Sequence, residues 1–263
     1  MDDGRLHIKS TLKTLLVLEQ FLTSNTELGI HELSARTGIP PSTVQRIVNT
    51  LELKDYLVQN PRTNKYRLGF GLYRVGKAML ESFHWVEEAK YYMEKLVKKY
   101  NETVNLAYLQ GQSIIYITKI DSSHILRPHF DVGTRFPPHC TSLGKALLAY
   151  MQPEVAERII SKRLPACTRK TKTSIKEIKA ELEKVRQNGY AIDDEEFQEG
   201  LFCIGAPIQN AQGESVAAIS MTIPKARLRN ENLPAMVDDL LQTATDISNR
   251  LKRTSPQLVQ SSQ

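Results

Sequence analysis

GIHELSARTGIPPSTVQRIVNTLELKDYLVQNPRTNKYRLG, residues 29–69, decides how this chain is read. Two short segments of helical periodicity are separated by a break at Thr37-Gly38-Ile39-Pro40. In the first, Ile30 and Leu33 repeat at helical spacing, and Gly38 suits a left-handed helix end. In the second, Val44, Ile47, Val48 and Leu51 fall at i, i+3, i+4 and i+7, one apolar face. Pro40 and Pro41 fit its first turn, where a missing N–H costs little. The opposite face carries Ser42, Thr43, Gln45, Arg46 and Asn49, short or forked hydrogen-bonding groups near the N-terminal end. A helix presenting such groups reaches base edges in a major groove. Beyond it, Tyr56-Leu57-Val58 and Lys65-Tyr66-Arg67-Leu68 flank turn residues Asn60-Pro61 and Thr63-Asn64. This predicts a small hairpin bearing Arg62, Lys65 and Arg67, a wing placed to lie along phosphates. The plainer alternative is a small packed unit with a solvated face. The coincidence of all these features favours a winged helix-turn-helix for double-stranded DNA.

Working outward, 263 residues are enough for two domains. The net charge is +6, and residues 1–78 hold 11 Lys and Arg against 7 Asp and Glu, so the front third carries +4. A basic leading unit fits a phosphate partner. The three cysteines, Cys140, Cys167 and Cys203, are odd in number and unclustered, which argues against a disulfide scaffold. With no signal-peptide pattern and no apolar run near ~18 residues, a cytoplasmic protein with no membrane partner is expected.

A leucine-striped helix from Ser10 (Leu12, Leu15, Leu16, Leu18, Leu22) is expected to pack behind the two recognition-unit helices and to close at Ser24-Asn25. Leu72 to Tyr100 reads as helix, interrupted near Ser82-Phe83-His84, with Val86, Ala89, Met93, Leu96, Val97 and Tyr100 as its stripe. Its exposed Leu72, Val75 and Met79 suit either dimer contacts or packing on the chain's own first domain. Strands are expected over 103–121 as a hairpin about Gly111-Gln112, over Ile125 to Val132, and at 190–194, 201–208 and 215–223. Helices are expected at 142–151, 153–162, 171–188 and 234–251. Strands linked by hairpins and flanked by helices imply an α+β class.

In the second domain, Gly144-Lys145 is no phosphate loop: His139 stands where its first Gly belongs, and Ala146 where its Ser or Thr belongs. Ser142-Leu143-Gly144 at a helix start still offers N–H groups to a carboxylate. Asp193-Asp194-Glu195-Glu196 is ordinarily a solvated turn; an acid–base or metal role lacks a visible nucleophile or base nearby. Leu201-Phe202-Cys203 and Ser220-Met221-Thr222 lie on strands. Ser220 and Thr222 share a face, either a half-exposed one or one whose buried hydroxyls meet a polar ligand. His139, Cys140, Asp193 and Cys203 are too irregularly spaced to resemble a structural zinc site.

The chain resembles the isocitrate lyase regulator (IclR) family of bacterial transcription factors from about Leu12 to Leu251. The resemblance is carried by LSARTGIPPSTVQRIVNTLELKDYL (33–57), YRLG (66–69), GTRFPPHCTSLGKALLA (133–149), the Thr171 and Thr173 pair, GYAIDDEEFQEGLFCIGAPI (189–208) and GESVAAISMTIP (213–224). It implies a winged helix-turn-helix (1–70), a linker helix (71–85), a GAF-like α/β effector-binding domain (86–251) and a disordered tail (252–263), assembled as a homodimer or homotetramer. It also implies a pocket for a small carboxylate or aromatic acid at Ile125, Pro128, Phe136, Ser142, Leu143, Asp193, Leu201, Cys203, Ser220 and Thr222. Ser142-Leu143 stands where many relatives carry smaller residues, so Leu143 is expected to shrink or reshape that cavity. The expectation is a regulator acting as a repressor, with no cofactor, metal or catalytic residue; the alternatives are a ligand-processing enzyme or metabolite sensor, and a protein–protein module.

Overall fold

The computed structural model describes residues 7–22, 27–81, 84–128, 130–160 and 164–254, which divide into two compact units, 1–83 and 84–263. In the first unit, α1 (Lys9–Glu19), α2 (Ile30–Thr37) and α3 (Pro41–Glu52) precede a hairpin of β1 (Leu57–Gln59) and β2 (Tyr66–Leu68), and α4 (Phe70–Glu81) follows. Gly38 ends α2 at φ 69°, a left-handed conformation a side chain would strain. Ser34 Oγ then donates to the Ile39 carbonyl at 2.6 Å, fixing the turn into α3. Val44, Ile47, Val48 and Leu51 are all buried with Val17, Phe21, Leu28, Leu33, Leu57 and Tyr66, each large side chain contributing roughly 1.5–3 kcal/mol. Tyr66 also pairs with Leu28, which gives the hairpin a third edge.

The leucine stripe of α1 behaves differently from its expectation. Val17 and Phe21 make the buried contact, while Leu12, Leu15, Leu16 and Leu22 are exposed. One helix face meets α2 and α3, and the neighbouring leucine face is covered by no element among the described residues of this unit. The expected closure at Ser24-Asn25 and the break at 82–83 lie outside the described residues.

The second unit opens with α5 (His84–Tyr100), whose Val86, Ala89, Met93 and Leu96 are buried. Strands β3 (Thr103–Gln110), β4 (Ser113–Ile120) and β5 (Arg135–Phe136) lead through a 3₁₀ turn (Pro138–Cys140) to α6 (Ser142–Ala149), α7 (Pro153–Ile160) and α8 (Ile175–Asn188). Then come β6 (Ala191–Asp194), β7 (Leu201–Gln209), β8 (Ser215–Pro224) and α9 (Leu233–Thr254). The sheet is antiparallel in order β5-β4-β3-β8-β7-β6. Helices α5 and α9 pack on strands of this sheet, as does α6, with α8 behind α6. The fold is therefore α+β, with β8 buried along nearly its whole length.

Three expectations change. Among the described residues of 125–132 none is in a strand: Ile125 is 95% exposed, and the strand that pairs with the outer edge of β4 is Arg135–Phe136. The β-type residues there find no partner edge, and Pro128 lacks a donor. Helix α8 starts at Ile175, not Thr171, because the Thr168 and Thr171 hydroxyls bond the Glu195 and Glu196 carbonyls. Residues 252–254, assigned to the tail, extend α9, where Lys252 and Arg253 suit a helix C-terminus; 255–263 lie outside the described residues. No helix among the described residues is long and apolar enough to cross a membrane.

Candidate nucleic-acid interface and effector pocket

Helix α3 turns Ser42, Arg46 and Asn49 outward, with Thr43 and Gln45 half-buried at the edge of the face. Gln45 Nε2 donates to Asn49 Oδ1 at 2.8 Å and approaches the Tyr66 hydroxyl at 3.5 Å. Two amide side chains are thus held in a fixed pose beside the hairpin, at little further entropic cost on binding. The Arg46 guanidinium has no hydrogen bond or ion pair among the described residues. A groove of about 640 Å³ runs between the starts of α2 and α3 and the hairpin, bordered by His31, Glu32, Ser42, Gln45, Asn64 and Lys65.

Arg62 and Arg67 are exposed on the hairpin, and Lys65 is half-buried. Two carboxylates shape this wing. Glu27 accepts from Asn60 Nδ2 and Thr63 Oγ1, each at 2.7 Å, and those bonds hold its carboxyl below the usual range. Glu32 caps α2 through the Gly29 N–H at 2.7 Å and meets Lys65 Nζ at 3.2 Å; the cap and the lysine bond lower its pKa. Lys65 therefore sits opposite a carboxylate in the free protein, an arrangement absent from the sequence reading because Glu32 lies 33 residues away.

In the second unit, Ser142, Leu143, Asp193, Leu201, Cys203, Ser220 and Thr222 line one cavity, joined by Tyr116, Phe130, Thr141 and Phe197. Its volume is about 20 Å³, room for a water rather than an organic acid. Ile125 and Pro128 do not line it, since their segment is not a strand of the sheet. Phe136 lies behind it, with ring centroids 4.6 Å from Tyr116, 5.2 Å from Phe130 and 5.2 Å from Phe197. The wall is thus largely aromatic, which sequence alternation did not signal. A bulge at Leu106/Ala107 pairs Ala107 with Tyr116 and breaks the simple period of two.

The floor is polar. Asn105 Nδ2 donates to Thr222 Oγ1 at 3.0 Å and reaches Ser220 Oγ at 3.5 Å, while Cys203 Sγ bonds Thr222 Oγ1 at 3.5 Å. The buried hydroxyls thus have protein partners, and the half-exposed-strand alternative does not hold. Burial pushes the Cys203 thiol and the Tyr116 phenol up.

The acidic run is not a solvated turn. Asp193 is 3% exposed and Glu196 is buried with it, while Asp194 and Glu195 meet Lys225 and Lys170 nearer the surface. Asp193 Oδ1 accepts the Glu196 and Phe197 N–H groups at 2.8 and 3.2 Å, yet burial raises its pKa to about 6. Lys145, 1% exposed, lies 2.5 Å from Glu196 Oε1, and Lys172 is at 3.3 Å. Gly144 lets the start of α6 pack against the Pro138–Cys140 turn: a Cβ there would stand 2.2 Å from the Pro138 carbonyl oxygen. Among the described residues no cluster of His, Cys, Asp and Glu is arranged for a metal ion.

Because native Asp193 holds its proton to about pH 6 and the unfolded carboxyl releases it near 3.8, native protein binds more protons between those values. Its contribution to stability is therefore lost as pH rises from about 4 through 6. Asp193→Asn keeps a side-chain oxygen for the two N–H groups and carries no charge. Its Tm advantage over the parent should grow from pH 5 to pH 7.5; a constant offset in thermal denaturation would remove this titration.

Known proteins resemble the chain along nearly all of its length. The model of the IclR helix-turn-helix domain matches residues 10–61, and that of the bacterial transcriptional regulator IclR C-terminal matches residues 77–249. HTH-type transcriptional regulator KdgR of Dickeya chrysanthemi is 35% identical over 245 residues, 93% of this chain and 80% of that protein. Transcriptional repressor IclR of Escherichia coli is 28% identical over 92% of this chain and 89% of its own length. An IclR homolog from Microbacterium hydrocarbonoxydans, solved in complex with 4-hydroxybenzoate, shares the fold at a TM-score of 0.83 and 24% identity, covering 94% of this chain and 100% of that one. A match to the helix-turn-helix over residues 10–61 and a C-terminal match across residues 77–249 converge: the chain belongs to the IclR family of DNA-binding bacterial transcriptional regulators.

Proposed function

We propose that this regulator is a repressor that reads operator DNA through Ser42, Thr43, Gln45, Arg46 and Asn49, with Arg62, Lys65 and Arg67 on the backbone, and releases it when a small carboxylate or aromatic acid enters the second unit. The observation that carries the reading is the outward Arg46, whose side chain has no partner among the described residues, on a helix whose other face is buried. The protein works as a homodimer or homotetramer, with the linker helix over 71–85 between a DNA-binding domain (1–70) and an effector domain (86–251). Exposed Leu12, Leu15, Leu16, Phe70, Tyr73 and Val75 support self-association. Two recognition helices then read half-sites about 34–36 Å apart or a multiple of that.

The effector reading rests on a cavity that joins a hydroxyl floor to an aromatic wall beside Asp193. The 4-hydroxybenzoate held by the Microbacterium homolog has that chemistry. At about 20 Å³ the cavity must widen to admit an acid, so ligand selects an opened state and shifts the population. Leu143, Phe130 and Phe197 are the side chains that move, Ser142, Ser220 and Thr222 the ones that bond, and Leu201 and Cys203 the ones that enclose; Phe136 supports the wall. Ile125 and Pro128 join the site only if their segment folds over it in the opened state. These groups act on the effector by binding it.

Selection of duplex sequences from a random library tests the first half. Enrichment of a paired half-site motif is expected, and recovery of unenriched sequence refutes the regulator's proposed reading face. Thermal-shift screening of small carboxylates, 4-hydroxybenzoate among them, tests the second. A ligand that raises Tm should weaken binding to the selected duplex, and one that raises Tm without touching DNA affinity removes the effector role.

The wing yields a paired prediction. Lys65→Ala should lower the magnitude of the salt slope by about 0.9 if one phosphate contact is lost. Glu32→Gln frees the same lysine, so binding to unrelated duplex should tighten. If both variants keep the parent slope and affinity, the wing does not touch backbone.

A further inference from the structure

Two thiols stand face to face beside the cavity without lining it. Cys140 Sγ is 3.7 Å from Cys167 Sγ; the first is fully buried and the second exposed. They belong to different walls. Cys140 closes the 3₁₀ turn and is followed by Thr141 and Ser142, which line the cavity at the start of α6. Cys167 belongs to a segment tied to the acidic run. Its N–H donates to Thr171 Oγ1 at 2.9 Å, and the Thr168 and Thr171 hydroxyls bond the Glu195 and Glu196 carbonyls at 2.7 and 2.6 Å.

We propose that Cys140 and Cys167 form a modification site for peroxides, whose product is an intrachain disulfide stitching the α6 wall of the cavity to its Asp193 wall. In van der Waals contact already, the sulfurs need only approach to about 2.05 Å. The Cys167 thiolate attacks one peroxide oxygen, the O–O bond breaks, and hydroxide leaves to take a proton as water. The Cys167 sulfenic acid then meets the Cys140 sulfur, an S–S bond forms, and the sulfenic oxygen departs with the Cys140 proton as a second water. The two thiols lose two electrons and the peroxide gains them. The order follows from access: Cys167 is open to solvent, whereas burial, then the neighbouring Cys167, keeps Cys140 protonated. Cys203, on β7, is the internal control, since its thiol bonds Thr222 on β8 and neither of the other cysteines among the described residues.

The test uses the full chain, reduced, then treated with a small molar excess of hydrogen peroxide and quenched with N-ethylmaleimide. Alkylatable cysteines should fall from three to one, with Cys203 labelled and one linked peptide pair containing Cys140 and Cys167. Dithiothreitol should restore all three. Cys140→Ala should stop at a Cys167 sulfenic acid trapped by dimedone, and Cys167→Ser should stay reduced over the same time. In oxidised parent protein, amide exchange over 168–171 and 193–197 should slow by about tenfold or more. Three labelled thiols after peroxide, a link to Cys203 or a link between chains overturns the pair. A correct link with unchanged exchange at 193–197 overturns the stitching of the two walls.

Discussion

Replacing Lys145 with methionine is expected to destabilise the second unit by about 3–5 kcal/mol at neutral pH. The ammonium is 1% exposed and contacts Glu196 at 2.5 Å, while its field also lowers the pKa of Asp193. Methionine fills similar volume, so the loss is electrostatic rather than a cavity effect. Lys172 stays at 3.3 Å from Glu196 but is partly solvated and replaces only part of the pairing. Two buried carboxylates then face each other across the acidic turn with their main cation gone. Apparent Tm should fall on the order of 10 °C for a unit of this size. The deficit should widen with rising pH, because without Lys145 Asp193 holds its proton to still higher pH and its charged form is penalised more. Replacing both partners, as Lys145→Met with Glu196→Leu, should recover most of the loss, since a buried pair exchanged for apolar groups is often neutral. Urea melts of the parent, the two single variants and the double variant measure the coupling. Additive effects, or a single-variant cost below about 1 kcal/mol, would show that this pair behaves as a surface pair and does not hold the cavity wall.

The same residues show what could and could not be read in the sequence. Helix α3 was legible because its apolar face repeats locally and because Gly38 closes α2 and Pro41 opens α3 within a few residues. The hairpin was legible because its turn residues are adjacent. The acidic run was misread as solvated because its partners are remote: Lys145 lies 51 residues before Glu196. The aromatic wall draws Tyr116, Phe130 and Phe197 from three separate segments, one of them displaced by a bulge. Ile125 to Val132 carries strand-type residues, yet a strand needs a neighbour, and the backbone bonds to β4 begin beyond it, at Gly133. Periodicity registers which residues share a face; it carries no record of what covers that face, as the exposed leucines of α1 also show.

Arg46→Ala should lower affinity for a selected operator duplex by about 1–3 kcal/mol, or roughly 5–150-fold, if its guanidinium reads a base. Stability should stay within about ±0.5 kcal/mol, because the side chain is exposed and bonds nothing among the described residues. Binding and folding are thus separable at this position, unlike at Val44 or Val48 on the opposite, fully buried face of α3. Base reading and phosphate contact give different signatures. A forked guanidinium bonds the two acceptors of a guanine edge at once, and an ammonium of equal charge does not match that fork. Arg46→Lys should therefore fail to restore specific affinity, while binding to unrelated duplex and the salt slope stay near the parent values. A phosphate contact predicts the reverse: lysine restores binding, and alanine lowers the slope by about 0.9 and weakens all sequences alike. Gln45→Ala is the internal comparison. Its amide is anchored to Asn49 at 2.8 Å, so its removal also releases Asn49, and the two should show non-additive losses in a double-mutant cycle. Anisotropy titrations against selected and scrambled duplexes at three salt concentrations separate these outcomes; parent-like affinity of Arg46→Ala for the selected duplex ends the assignment of this face as the reading surface.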